Sequence, residues 1–305
     1  MNKEYPGYVE LHEKGELVKK VDSLYEMMQS CHLCPRRCGV ARLKGEVGYC
    51  RAGAEVEISS FHHHMGEEPP ISGWSGSGTI FFTHCSLRCV FCQNFPISQL
   101  GHGNKVSISR LAEIMLILQK KGCHNINLVT PTHFAPHVVA AVHIAVRQGL
   151  RIPLVYNCGG YEEILTLQLL KGVIDIYMPD IKYGENAQAK KYSNAPDYFD
   201  VAKKSVQEMH RQVGDLKLSP DNIAQRGLLI RHLILPHDLA TSEKVLYFIK
   251  NEISPATYIS IMSQYFPAYK AVDVEELQRK ITNNEYRKIL RLTQELHLEK
   301  GWRQS

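Results

Sequence analysis

Three cysteines fall within eight residues of the stretch THCSLRCVFCQN at 83–94: Cys85, Cys89 and Cys92, in a C-x3-C-x2-C array. Thiolates at such gaps bind soft metals. A tetrahedral zinc site wants four ligands, so the array is one short. On a 4Fe-4S cluster it would fill three irons and leave the fourth open to another ligand. The competing readings are a three-ligand zinc site, or cysteines buried as small hydrophobes.

A second group lies upstream, in CHLCPRRCGVARLKGEVGYC: Cys31, Cys34, Cys38 and Cys50, spaced C-x2-C-x3-C-x11-C. Four thiolates complete either a zinc tetrahedron or a full cubane, and the spacing leaves zinc and iron–sulfur both open. Gly39, Gly45 and Gly48 suit a tight knuckle, and so little apolar sequence lies there that a metal staple is expected. Cys123 and Cys158 stand apart. Clustering of this kind in a reducing compartment favours metal ligation over disulfides.

The elements that must position these residues change character along the chain. Leu17, Val21, Leu24 and Met27/Met28 recur at helical spacing and predict a helix over 16–29. An unperiodic region rich in Cys, Gly and Pro follows to about residue 78. From 79 onward, short β-branched runs predict strands at 79–83, 126–130, 152–156, 175–178, 228–234 and 258–262. Helical patterns lie near 108–121, 135–148, 160–170, 197–212 and 241–251. A long closing helix is expected near 274–297, with Asp273 and Glu276 as a capping box. Six strands each followed by a helix make an α/β fold with a parallel sheet, most simply an incomplete (β/α)6 barrel. It carries an N-terminal cysteine-rich extension, giving units at 1–75 and 76–305.

In parallel α/β folds chemistry gathers at the C-terminal ends of the strands. The segments after the six strands are THCSLRCVFCQN, PTHFAP, NCGGYE, PDIKYG, LPHD and SQYFPAY, which hold nearly every chemically interesting residue. Asn157 and Cys158 precede Gly159-Gly160, where backbone can approach a ligand closely. In LLIRHLILP, Arg231 and His232 fall on opposite faces, and an Arg231 directed inward needs an anion. His62, His63 and His64, followed by Glu67, Glu68, Pro69 and Pro70, read as an exposed loop, with a substrate-side or metal-side role as the alternative.

The C-x3-C-x2-C array after a first strand, with Phe91 before its last cysteine, resembles the radical S-adenosylmethionine (SAM) superfamily over about 76–267. The resemblance implies that Cys85, Cys89 and Cys92 bind a 4Fe-4S cluster whose open iron chelates the methionine part of SAM, with Phe91 against the adenine. Reductive cleavage would then give a 5'-deoxyadenosyl radical that abstracts hydrogen from a protein glycine or another C–H bond of an unknown substrate. The electron would come from ferredoxin or flavodoxin. Pro131 and Thr132 resemble the surviving end of the superfamily's Gly-Gly-Glu-Pro motif, and Thr130 stands where its Glu would be. MPDIKYG is similar to the M-x-D-x-K motif of glycyl-radical-enzyme activases, which implies that Asp180 belongs to a cation and SAM-carboxylate site and that Lys182 contacts SAM, with Asn157 and Met178 nearby and the carboxylate of SAM a candidate anion for Arg231. Gln264 and Tyr265 would serve the ribose or the substrate, where the activases have a histidine. With C-x-L-C-P-R-x-C-G, EEPPISG and FCQN together, the chain resembles a family of radical SAM proteins related to pyruvate formate-lyase activating enzyme but of unassigned substrate. The alternatives are a non-catalytic metal-binding scaffold and an iron–sulfur electron carrier, though carriers normally fill every iron site.

The 305 residues are 44% hydrophobic and 22% charged, the balance of a globular protein with ample core. A formal charge of +5, dispersed rather than striped, does not point to nucleic acid. The N-terminus lacks the apolar core of a secretory signal, and the longest apolar run, 138–146, is too short to span a bilayer. A cytoplasmic protein is expected.

Overall fold

The computed structural model describes residues 6–303. Ten strands are present among them: β1 (Val56–His64), β2 (Ser77–Phe82), β3 (Asn104–Val106), β4 (Ile126–Val129), β5 (Leu154–Cys158), β6 (Ile176–Pro179), β7 (Lys217–Leu218), β8 (Ala224–Leu233), β9 (Tyr258–Met262) and β10 (Gly301–Arg303). Their order across the sheet is β10-β9-β8-β6-β5-β4-β2-β1-β3, with β7 paired to β8. Every pairing from β2 through β10 is parallel except that of β7 with β8, and β1 joins β2 and β3 antiparallel.

The six expected strands correspond to β2, β4, β5, β6, β8 and β9, laid side by side in chain order. That order winds the sheet in one direction, as a barrel does, without the reversal of a doubly wound sheet. The sheet also curls. Five strand spacings would separate β2 from β9 by about 24 Å if flat, yet Gln93 Nε2 after β2 donates to the Gln264 carbonyl after β9 at 3.1 Å. The rings of Phe91 and Tyr265 lie 6.0 Å apart.

Helices cover the outside. The helix Ala135–Arg147 buries Ala135, Val138, Val139, Ala141, Val142, Ala145 and Val146, an apolar face broad enough to meet the sheet and other helices. The N-terminal helix Glu16–Glu26 packs on it. The helix expected over 16–29 is observed as Glu16–Glu26, and a further helix, Gly7–Glu13, that was not expected precedes it.

The expected helix over 274–297 is corrected. Residues 269–277 form 3-10 turns, and the helix proper is Asn283–Glu295. Its capping box is Thr282 with Glu285, not Asp273 with Glu276. The Glu276 carboxylate instead accepts from the Tyr192 hydroxyl at 2.7 Å and pairs with Lys191. The unperiodic region also holds β1, which lies in the same sheet as the strands beyond residue 75.

Candidate active site

Strand ends supply the site. A cavity of about 260 Å³ is lined by Cys85, Cys89, Cys92, Phe91, Thr130, Asn157, Cys158, Asp180, Lys182, Arg231 and Gln264, with Leu233, Leu235 and Met262 among its apolar wall. These residues come from the ends of β2, β4, β5, β6, β8 and β9 and the loops after them. Tyr265 does not line the cavity, its buried hydroxyl donating instead to the Leu277 carbonyl at 2.7 Å, and neither does Thr132. Thr132 is buried, and its hydroxyl donates to Glu162 Oε1 at 2.9 Å.

The three-cysteine loop is braced from behind. Val90 and Arg88 donate backbone N–H bonds to the carbonyls of Tyr192 and Ser193. The Ser193 hydroxyl donates to Cys89 Sγ at 2.9 Å, Cys92 Sγ lies 3.0 Å from Ser98 Oγ, and the Leu87 N–H donates to Cys85 Sγ at 3.3 Å. Burial pushes the Cys85 thiol up to about 12 and raises that of Cys89, which Lys182 partly offsets. Without metal these groups are thiols; ligation would require their deprotonation.

Opposite the thiols is a charged network. Arg231 donates from Nε to Asp180 Oδ1 (2.8 Å), from Nη2 to Asn157 Oδ1 (2.8 Å) and from Nη1 to Glu67 Oε2 (3.2 Å). Lys182 Nζ donates to Asp180 Oδ2 at 2.7 Å. Burial would raise the Asp180 carboxyl, but Arg231 and then Lys182 hold it down at about 2. Burial raises the Glu67 carboxyl, against the pull of Arg231. His232, on the other face of β8, bonds the Ile181 carbonyl and Ser242 Oγ at 2.7 and 2.8 Å and is a satisfied core histidine.

Glu67 and Glu68 overturn the exposed-loop expectation. Glu68 is 6% exposed, with its Oε2 at 3.9 Å from Arg231 Nη1, and Glu67 Oε1 also accepts from Asn127 Nδ2 at 2.9 Å. The loop after β1 enters the sheet interior, where Ile71 packs with Val155, Ile176, Met178 and Leu229. His62, His63 and His64 lie on β1 itself. The sequence signal was an acidic pair beside Pro69-Pro70, but its partner Arg231 is 164 residues away from Glu67.

A second buried cluster backs the cavity wall. Glu162 accepts from Thr132, from the Tyr156 hydroxyl at 3.1 Å and from the Cys158 thiol, and burial raises its carboxyl to about 7 despite these bonds. Cys158 thus faces the cavity as a thiol; burial raises it well above the ordinary range.

Upstream, the fold brings Cys31, Cys34, Cys38 and Cys50 together: Cys34 lies within electrostatic reach of Cys31 and Cys50, and Cys50 of Cys38. All four are free thiols. Among the described residues no group of three or more His, Cys, Asp or Glu is arranged to hold a single metal ion.

A parallel, singly wound α/β sheet thus gathers three thiols and a buried charge network in one cavity at its strand ends. Residues 79–219 match the Radical SAM superfamily. The chain is 32% identical over 289 residues to the uncharacterized protein MJ0674 of Methanocaldococcus jannaschii, covering 92% of this chain and 79% of that one. The chain belongs to the Radical SAM superfamily, whose members bind a 4Fe-4S cluster and SAM. The donor set fits both: three cavity-lining thiols for iron, and carboxylate, ammonium and guanidinium groups for the amino-acid end of SAM. No helix among the described residues is long and apolar enough to cross a membrane.

Proposed function

We propose that the protein is a radical SAM enzyme in which Cys85, Cys89 and Cys92 hold the cluster, and Asn157, Asp180, Lys182 and Arg231 hold the amino-acid end of SAM. The observation that carries this reading is the single cavity shared by the three thiols and the Asp180 network. When bound, the pair supplies one-electron cleavage of the sulfonium and hydrogen abstraction by a 5'-deoxyadenosyl radical. Asp180 accepts from Lys182 and Arg231 and keeps both cations in place. Thr130 and Gln264 offer polar contacts, and Phe91, with Leu233, Leu235 and Met262, forms an apolar wall that excludes water from a radical. Residues 1–75 act as an extension that supports this unit. The target is a protein glycine, as for the activases, or another C–H bond, and the electron donor is of the ferredoxin or flavodoxin class.

Anaerobic reconstitution with iron and sulfide, followed by dithionite and SAM, is expected to give cluster absorbance and 5'-deoxyadenosine. Cys89→Ala should remain folded and produce none. A variant that unfolds instead would favour a structural scaffold, and a wild-type protein with no cluster and no 5'-deoxyadenosine would end the enzyme reading.

A further inference from the structure

The two cysteine groups are bolted to each other. Arg36, between Cys34 and Cys38, donates from Nε to the carbonyl of Ser86, the neighbour of Cys85, at 2.9 Å. In the reverse direction Arg88, the neighbour of Cys89, donates from Nη2 to the carbonyl of Tyr49, the neighbour of Cys50. Both guanidinium groups lie over the Tyr49 ring, 4.0 and 4.9 Å from its centre. The Tyr49 hydroxyl also accepts from Asn194 Nδ2 at 2.9 Å, next to the Ser193 that contacts Cys89.

Two thiolate-bound centres side by side repel each other as anions, and cations interposed between them relieve that repulsion. Arg36 and Arg88 each reach from one cysteine loop to the backbone of the other, which brings both cations to the seam between them. Arg36 Nη2 is buried with no hydrogen-bond partner among the described residues. An orphaned guanidinium N–H beside cysteines is a donor left for cluster sulfur, and such bonds tune cluster potentials. The spacing, which by itself leaves zinc open, is compatible with iron–sulfur. Structural zinc quartets are typically built from two separated pairs, whereas three close cysteines with a fourth at a distance follow the iron–sulfur pattern. Here the division is three within eight residues, then Cys50.

We propose that Cys31, Cys34, Cys38 and Cys50 hold a second, redox-active iron–sulfur cluster that passes electrons to the cluster on Cys85, Cys89 and Cys92; this rests on the radical SAM reading. The balance is one electron with no bond made or broken at the quartet. A ferredoxin- or flavodoxin-class donor reduces the quartet cluster, which is reoxidised as the loop cluster is reduced. With every iron ligated by protein, the quartet has no vacancy for SAM and is suited to carrying charge alone.

The full chain, reconstituted anaerobically with iron and sulfide, should hold about eight iron atoms, falling to about four in Cys34→Ser/Cys50→Ser. After reduction, electron paramagnetic resonance of the wild type should show two signals broadened by mutual coupling. With SAM, flavodoxin-driven cleavage in the variant should fall at least about tenfold further than dithionite-driven cleavage, since the small reductant can reach the loop cluster directly. Zinc in the wild-type quartet, a single uncoupled signal, or equal loss with both reductants would overturn the relay. Should the variant fail to fold, the wild-type iron count and spin coupling decide alone. Failure of dithionite-driven cleavage in the wild type would count against the enzyme reading and leave the cluster assignment to the metal analysis.

Discussion

At the scale of the residue, Arg231 is the junction on which the site turns. Its guanidinium serves Asp180, Asn157 and Glu67 from three different nitrogens, a fork that no lysine reproduces. Replacing it with Met would leave Asp180, Glu67 and Glu68 against Lys182 alone, and breaking a buried ion network of this kind costs about 3–5 kcal/mol. Urea unfolding of Arg231→Met should show a loss of that order together with loss of SAM binding; a loss under about 1 kcal/mol would mean the network is not electrostatically coupled. Glu162 provides the pH test. Its folded value of about 7 lies above the model-peptide value of 4.5, so between those limits the folded chain binds the extra proton. The penalty of ionising it is absent below the unfolded value, grows as pH rises, and is complete above about 7. Glu162→Gln should therefore flatten the stability curve across pH 4.5–7 relative to wild type. At pH 8 it should recover up to about 3 kcal/mol, less what is lost from the bonds of Thr132, Tyr156 and Cys158. Asp175, raised by burial to about 7, keeps a slope of the same sign in both proteins, so the readout is the difference between the two curves.

At the scale of the element, backbone strain falls at the ends of two of the site's strands, at His84 after β2 and at Thr130 after β4. Thr130, directly after β4, has φ +58°, a left-handed conformation that a β-branched residue adopts at a cost. That strain accompanies a hydroxyl brought to the cavity in the place where the superfamily motif has a carboxylate. Thr130→Gly should leave the melting temperature unchanged or raised while SAM affinity falls several-fold, measured by calorimetry on the reconstituted protein. A fall in melting temperature would show that the Thr side chain stabilises the fold instead. Gly160 is constrained differently: at φ +72° a Cβ would sit 2.6 Å from the Asp180 carbonyl, so an Ala there displaces the end of β6. Elements of this kind differ in how far sequence discloses them. Strands β2, β4, β5, β6, β8 and β9 were legible because each contains a short, mostly buried apolar run. β1 was not, because its burial alternates irregularly along EVEISSFHHH and it reads as polar. β3, β7 and β10 are two or three residues long and carry no periodicity. The cavity residues at strand ends followed from topology, but Glu67 and Glu68 did not. Their meaning depends on Arg231, far along the chain, and charged residues next to prolines ordinarily mark a surface.

At the scale of the whole molecule, the sequence suggests a boundary near residue 75 that the packing bridges in several places. β1 pairs with β2 at six positions from Ile58↔Phe82 to His64↔Ser77, so a chain starting at 76 exposes a long sheet edge. It also removes Glu67 and Glu68 from Arg231, and Ile71 from the interior cluster of Val155, Ile176, Met178 and Leu229. Further upstream, Arg42 is fully buried and donates to the His133 carbonyl at 2.7 Å and the Gly53 carbonyl at 3.1 and 2.7 Å, tying the cysteine knuckle to the segment after β4. Arg37 adds a two-pronged pair with Glu163 at 2.7 and 2.9 Å. These losses are unequal. A fragment of residues 54–305 keeps β1 and both carboxylates, and should unfold cooperatively at a reduced temperature. A fragment of residues 76–305 should show no cooperative transition by calorimetry and should bind a hydrophobic dye, because its interior holds an Arg231 stripped of Glu67 and Glu68 beside the space that Ile71 filled. If 76–305 instead melts cooperatively near the temperature of the full chain, the loop after β1 contributes nothing essential to the interior, and the stability of the Arg231 network must come from Asp180 and Asn157 alone.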